Sequence, residues 1–254
     1  NWTMDSLFST EAGEGPLVVF LHGGMNTGEI AWFAQQPLTE HWTVRSYDRV
    51  GYGRSASLSP GEDIELDAAL IATQLESPVH LVGHSSGALV AMLVAAHAPA
   101  TVRSLTLIEP PAFRHLDDPR LRVRANIFDA LFADVDASDH VWLTRFIEDG
   151  IRVEVLPPDS ILEILEQHIT PLRHAVSAGW DIKVPIDELM ASGIPVMVVS
   201  GGNDEGFELI CDCIAAQLGT RREVIPGAGH AVQWTGQAFN DALASFLRSV
   251  EAAT

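Results

Sequence analysis

The chain has 254 residues, 47% of them hydrophobic, and a formal charge of −19 with Lys183 as its single lysine. That length supports a substantial core in one large domain, or one domain with an insertion. The charge repels phosphate backbones and anionic lipids, which argues against nucleic acid and membranes as partners. No apolar run approaches the ~20 residues that span a bilayer, and Asn1-Trp2-Thr3-Met4-Asp5 carries neither the basic region nor the apolar stretch of a secretory signal. Met is not the first residue, which reads as trimming or processing. Asn1-Trp2-Thr3 fits a glycosylation sequon formally and is read as accidental. Cys211 and Cys213 lie two apart on a predicted helix, where they point in different directions and bridge poorly. Two thiols without a disulfide framework fit a reducing cytoplasm. No nearby Cys/His pair completes a metal site, so no metal and no cofactor are expected.

The first half alternates strand and helix. Leu17-Val18-Val19-Phe20-Leu21 is a continuous apolar strand that runs into His22-Gly23-Gly24, and Thr43-Val44-Arg45-Ser46-Tyr47 is a second that ends at Asp48. Asp63 to Leu75 reads as a helix with Ile64, Ala68, Ile71 and Leu75 on one stripe. Val79-His80-Leu81-Val82 is the next strand. The run from Ser86 to Ala96 is a helix apolar all round, and Ser104-Leu105-Thr106-Leu107-Ile108 is a further strand. Apolar strands separated by helices mean a parallel sheet covered on both faces, with sites beyond the carboxyl ends of its strands. His22, Asp48, Ser85 and Glu109 fall at or just past such ends.

After Pro110-Pro111 the alternation stops. Helical segments are expected over Leu121–Val135, Val141–Ile147 and Ser160–Ile169, punctuated by Pro157-Pro158 and Pro171. Strand signals resume at Ile194-Pro195-Val196-Met197-Val198-Val199. They are followed by Arg222-Glu223-Val224-Ile225 and a closing helix from Gln237 whose buried stripe is Phe239, Leu243, Phe246, Leu247 and Val250. The expected organisation is a core formed by 1–111 and 193–254 with a helical lid, 112–192, inserted between strands.

Gly83-His84-Ser85-Ser86-Gly87 joins a buried strand to a buried helix. A serine there sits on a tight, strained turn whose small neighbours relieve crowding, and its hydroxyl stands at a helix N-terminus where developing negative charge is favoured. With His22-Gly23-Gly24, Asp48-Arg49-Val50-Gly51-Tyr52-Gly53-Arg54-Ser55 and Gly227-Ala228-Gly229-His230, this turn makes the chain resemble the α/β-hydrolase superfamily, in its lidded serine esterase/lactonase-like group. The resemblance covers about 1–111 and 193–254, and the insertion matches in kind only. It implies an α/β-hydrolase fold, a mostly parallel sheet flanked by helices, and a triad in the chain order nucleophile, acid, histidine.

On that resemblance Ser85 is the nucleophile and His230, on the Pro226-Gly227-Ala228-Gly229 loop, its base. Asp204, which closes Ser200-Gly201-Gly202-Asn203-Asp204 after a strand, is preferred as the acid, with Glu109 its competitor. The backbone N–H groups of Ser86 and Gly24 are the expected oxyanion donors, with Met25 the alternative to Gly24. His84 is read as packing, and Asp48, Arg49, Arg54 and Ser55 as loop scaffold. Met25, Trp32, Phe113, Trp142, Trp180 and Trp234 are candidates to line an apolar substrate pocket, although each position also suits plain core. Without a cluster of basic residues, the expected substrate is a neutral, fairly hydrophobic ester or lactone. Ser85 stands where dehalogenases and epoxide hydrolases of this fold carry a carboxylate, and Ser86 where haloperoxidases often carry methionine. No lysine lies beside His230, where related hydroxynitrile lyases usually keep one. The alternatives are a ligand-binding sensor that keeps the triad but turns over slowly, and a C–C or C–N bond hydrolase on the same residues. Oligomeric state is not legible.

Overall fold

The computed structural model describes residues 7–153 and 156–253. The sequon at Asn1 lies outside them. Seven strands form one sheet: β1 (Ser9–Ala12), β2 (Leu17–Leu21), β3 (Thr43–Tyr47), β4 (Val79–His84), β5 (Val102–Ile108), β6 (Val196–Ser200) and β7 (Arg221–Val224), in the order β1-β3-β2-β4-β5-β6-β7. All neighbours are parallel except the edge pair β1–β3. β1 is the strand that composition does not reveal. Its sequence Ser-Thr-Glu-Ala is mostly exposed, so it carries no apolar alternation; it is held by its backbone ladder and by an ion pair from Glu11 to Arg45 of β3 (2.6 Å).

Successive strand residues point to opposite faces, and the two faces build separate cores. Val19, Leu21, Leu81, Leu105, Leu107 and Val198 pack on one side with helices Ile64–Gln74, Ser86–His97 and Glu205–Leu218. Val18, Phe20, Val82, Ile108, Met197 and Val199 pack on the other with Trp32 and with Phe239, Leu243 and Leu247 of helix Gln237–Glu251. Helix Ser86–His97 is buried from Ser86 to Ala95, which explains its lack of a polar face. Between β5 and β6 the chain turns through helices Pro119–Ala133, Asp139–Arg145, Asp159–Glu166, Thr170–Arg173 and Ile186–Ser192. Among the described residues no helix is long and apolar enough to cross a membrane. Cys211 and Cys213 are both free thiols.

The turn after β4 is dictated by close backbone approach. A methyl group on Gly83 would overlap the Gly87 backbone, and one on Gly87 would overlap the carbonyl oxygens of Leu21 and His22. Gly87→Ala is therefore expected to destabilise the fold by about 1–3 kcal/mol, the usual range for overpacking. Denaturant unfolding checks this, and an unchanged midpoint contradicts the packing described.

Candidate active site

Six loops leave the carboxyl ends of the parallel strands and line a cavity of about 380 Å³. Ser85 follows β4, Glu109 follows β5, Asp204 follows β6 and His230 lies beyond β7; all four line the cavity with Gly23, Gly24 and Met25 from the loop after β2. Four non-glycine residues among those described have left-handed backbone: Met25 (φ 60°), Ser85 (φ 54°), Glu109 (φ 43°) and Arg152 (φ 50°). Each of the four lines this cavity. Such conformations cost about 1–3 kcal/mol apiece and persist where the surroundings over-determine them, typically at functional sites.

Ser85 is the N-cap residue of helix Ser86–His97, yet its hydroxyl caps no backbone N–H. Its backbone N–H is tied to the Ile108 carbonyl at 2.9 Å, which fixes the bend against the neighbouring strand. As the first helical residue, Ser86 carries a backbone N–H without an intrahelical acceptor. The facing loop is held through His22, whose Nδ1 lies 2.6 Å from the Gly23 carbonyl and whose Nε2 accepts from the Arg49 N–H at 3.0 Å. Burial pushes the His22 pKa well down, so the ring is neutral and Nδ1 carries the proton. Asp48 has a scaffold role, accepting from the backbone N–H of Gly28 (2.8 Å) and Arg54 (2.9 Å).

The partner of His230 differs from expectation. Nδ1 of His230 lies 2.7 Å from Oε2 of Glu109, a buried carboxylate whose Oε1 accepts from the Gly201 N–H at 2.7 Å. Asp204 is engaged elsewhere. Its Oδ1 caps helix Glu205–Leu218 through the Phe207 N–H (3.0 Å), and its Oδ2 pairs with buried Arg124 at 2.7 Å. Arg124 comes from helix Pro119–Ala133 of the insertion and also donates to the Gly150 carbonyl at 2.9 Å. Burial drives both members of the His230–Glu109 pair towards neutrality. His230 is lowered to about 4, and Glu109 is raised to about 8 even though it accepts from Gly201.

His84 is more than packing. Its Nε2 lies 2.8 Å from the His230 carbonyl, its Nδ1 lies 3.2 Å from Gln233 Nε2, and its ring is 4.8 Å from that of His230. Burial lowers its pKa well below that of a free imidazole. A neutral ring that donates from Nε2 and accepts at Nδ1 satisfies both contacts and anchors the loop that carries His230. Phe207 also stacks on His230, with ring centroids 4.6 Å apart.

Of the six expected pocket residues, Met25, Trp180 and Trp234 line the cavity. The other three do not. Trp32 packs on Phe20 in the core beneath the sheet (centroids 4.6 Å). Phe113 is sealed between Phe128 and Phe207, and Trp142 is fully buried with its indole N–H on the Leu131 carbonyl at 2.9 Å. Phe128, Phe132, Phe146, Leu165 and Leu172 take their place as apolar walls, all from the insertion. The expected helical segments give no means of separating such wall residues from core, because Phe128, Phe146, Leu165 and Leu172 belong to the buried cluster as well.

An alpha/beta hydrolase family model matches residues 18–242. The chain belongs to the α/β-hydrolase family. Among curated relatives of this α/β-hydrolase, a pimeloyl-[acyl-carrier protein] methyl ester esterase of Chromobacterium violaceum is 36% identical over 145 residues, covering 56% of this chain and 56% of the relative. Lipase LipV of Mycobacterium tuberculosis is 32% identical over 171 residues, covering 66% of this chain and 62% of its own length. The chain thus spans little more than half the length of these two relatives. An esterase of Thermogutta terrifontis shares the fold with a TM-score of 0.75 at 22% identity, over 96% of this chain and 93% of that one.

Proposed function

We propose that this α/β-hydrolase is a serine hydrolase of neutral, largely apolar carboxylic esters or lactones, with Ser85 as nucleophile, His230 as base and Glu109 as the acid that orients it. The observation that carries the reading is the chain of groups at one cavity: a strained, uncapped serine, a histidine lining the same space, and a buried carboxylate 2.7 Å from the histidine's far nitrogen. Ser85 Oγ adds to the carbonyl carbon while His230 Nε2 takes its proton. The oxyanion is received by the N–H groups of Ser86 and Gly24, and Glu109 stabilises the imidazolium through Nδ1–H. Collapse expels the alcohol, which takes the proton from Nε2, and water repeats the sequence on the acyl-enzyme. Residues 112–192 serve as a cap that supplies the apolar walls and excludes water. The esterase and lipase names of two relatives support the reaction class. Multiple turnovers of short p-nitrophenyl esters test it, and a single acylation burst without further turnover contradicts it.

The buried pair sets the pH dependence. The productive form needs Glu109 ionised and the ring protonated on Nδ1 only, so that Nε2 is free to accept. With Glu109 raised to about 8 and His230 lowered, the pair retains one extra proton at neutral pH and loses it as a unit. Losing that proton creates the base, so kcat/KM is expected to rise with pH through an apparent pKa of about 8. A rate that is flat or falling between pH 6 and pH 9 contradicts this assignment.

A further inference from the structure

Beneath the serine turn lies a buried ionic cluster that the proposed chemistry leaves unused. Arg49 is fully buried and sits between two carboxylates: Nη2 is 2.7 Å from Asp67 Oδ2 and 3.0 Å from Glu62 Oε2, while Nη1 donates to Ser86 Oγ at 2.8 Å. Glu62 Oε2 also accepts from Tyr52 OH (2.9 Å) and Ser86 Oγ (3.1 Å). One oxygen of Glu62 therefore holds three donors. The other, Oε1, receives no hydrogen bond from the described residues, and it is not among the buried polar atoms sealed without a partner. Glu62 lines the same cavity as Ser85, Ser86 and Gly24, although the residue is only 4% exposed. Its backbone is clamped to the insertion by Glu62 N–H on the Pro171 carbonyl (2.6 Å) and the Val176 N–H on the Glu62 carbonyl (2.8 Å). The carboxylate is thus preorganised at the cavity wall, with one oxygen that no described residue occupies and Ser86 on the other.

We infer that Glu62 is a specificity-determining residue: its Oε1 accepts a hydrogen bond from a neutral O–H or N–H group on the substrate, close to the scissile carbonyl. This rests on the serine hydrolase reading. A buried acceptor left without a donor is costly, so substrates that supply one are favoured over those that cannot. Two carboxylates against one guanidinium leave the cluster short of positive charge, so a substrate carboxylate at this position is disfavoured.

The test uses matched esters that differ only in a hydroxyl or its methyl ether: p-nitrophenyl butanoates substituted at carbon 2, 3 or 4, and 2-hydroxyethyl against 2-methoxyethyl butanoate. In the parent, kcat/KM for the hydroxyl member of at least one pair should exceed its methyl ether by about 10- to 100-fold, as for a hydrogen bond to a charged acceptor. In Glu62→Gln the amide must keep its carbonyl oxygen on the three donors and turn its NH2 to the cavity. Both members can then only accept, and the ratio should fall to about one. Tyr52→Phe, which removes a donor from the opposite oxygen, should keep the parental preference. Ratios near one for every pair in the parent, or a preference that survives Glu62→Gln, overturn the inference while leaving ester hydrolysis standing. Failure to turn over any ester overturns both. If Glu62→Gln does not fold, a crystal structure of the parent phosphonylated by a hydroxyl-bearing phosphonate decides. The hydroxyl on Glu62 Oε1 supports the inference, and a hydroxyl bonded elsewhere overturns it.

Discussion

Ser85→Ala is expected to lower kcat on any ester the protein hydrolyses by about a million-fold, the loss seen when a triad nucleophile is removed. The size of the effect follows from the division of labour at the site. Removing Oγ abolishes covalent catalysis outright and leaves only binding and the oxyanion donors to act on water. The turn itself should survive, because its shape is set by the approach of Gly83 and Gly87 to neighbouring backbone and by the Ser85 N–H on the Ile108 carbonyl. Alanine at φ 54° remains strained, as serine is. Steady-state kinetics with thermal unfolding as the folding control measure this, and activity within tenfold of the parent removes Ser85 from the mechanism.

Glu109→Gln should lower kcat by about 10⁴-fold, the loss expected when a histidine is held in the wrong tautomer. The glutamine carbonyl is drawn to the Gly201 N–H, which now lies 2.7 Å from Oε1, so its NH2 faces His230 Nδ1. That arrangement favours the ring with its proton on Nε2, where it cannot take one from serine. Asp204→Asn should behave differently. It leaves Arg124, which is 3% exposed, without its counter-charge, and breaking such a pair costs about 3–5 kcal/mol of stability. Its main signature is a lowered unfolding midpoint. If Asp204→Asn loses more kcat than Glu109→Gln, the acid is Asp204.

The contrast between these two carboxylates shows where sequence reading stops. Both follow apolar strands, and both were visible as acids at sheet ends. The deciding partner of Asp204 is Arg124, on an insertion helix 80 residues earlier in the chain; no local spacing connects them. The sheet was far more legible. β2 and β3 have the expected bounds, and helix Ser86–His97 begins where an apolar run follows the serine turn. β2 and helix Ser86–His97 are buried almost throughout, so burial is written into their composition. β1 carries no such signal, and neither does the choice between a tryptophan that lines a cavity and one that fills a core. Trp180 and Trp142 both pack against Phe132, yet only Trp180 reaches the cavity. The role of His84 was hidden for a similar reason: its contact is to the main chain of His230, 146 positions away.

Catalysis as proposed depends on Ser85 being activated by His230 at the cavity they share. Labelling with a fluorophosphonate probe, mapped by mass spectrometry in the parent and in His230→Ala, tests that most directly. One adduct is expected, on Ser85, formed rapidly by the parent and severely slowed without the imidazole. An adduct on another residue, or labelling of Ser85 at the same rate in both proteins, would contradict it.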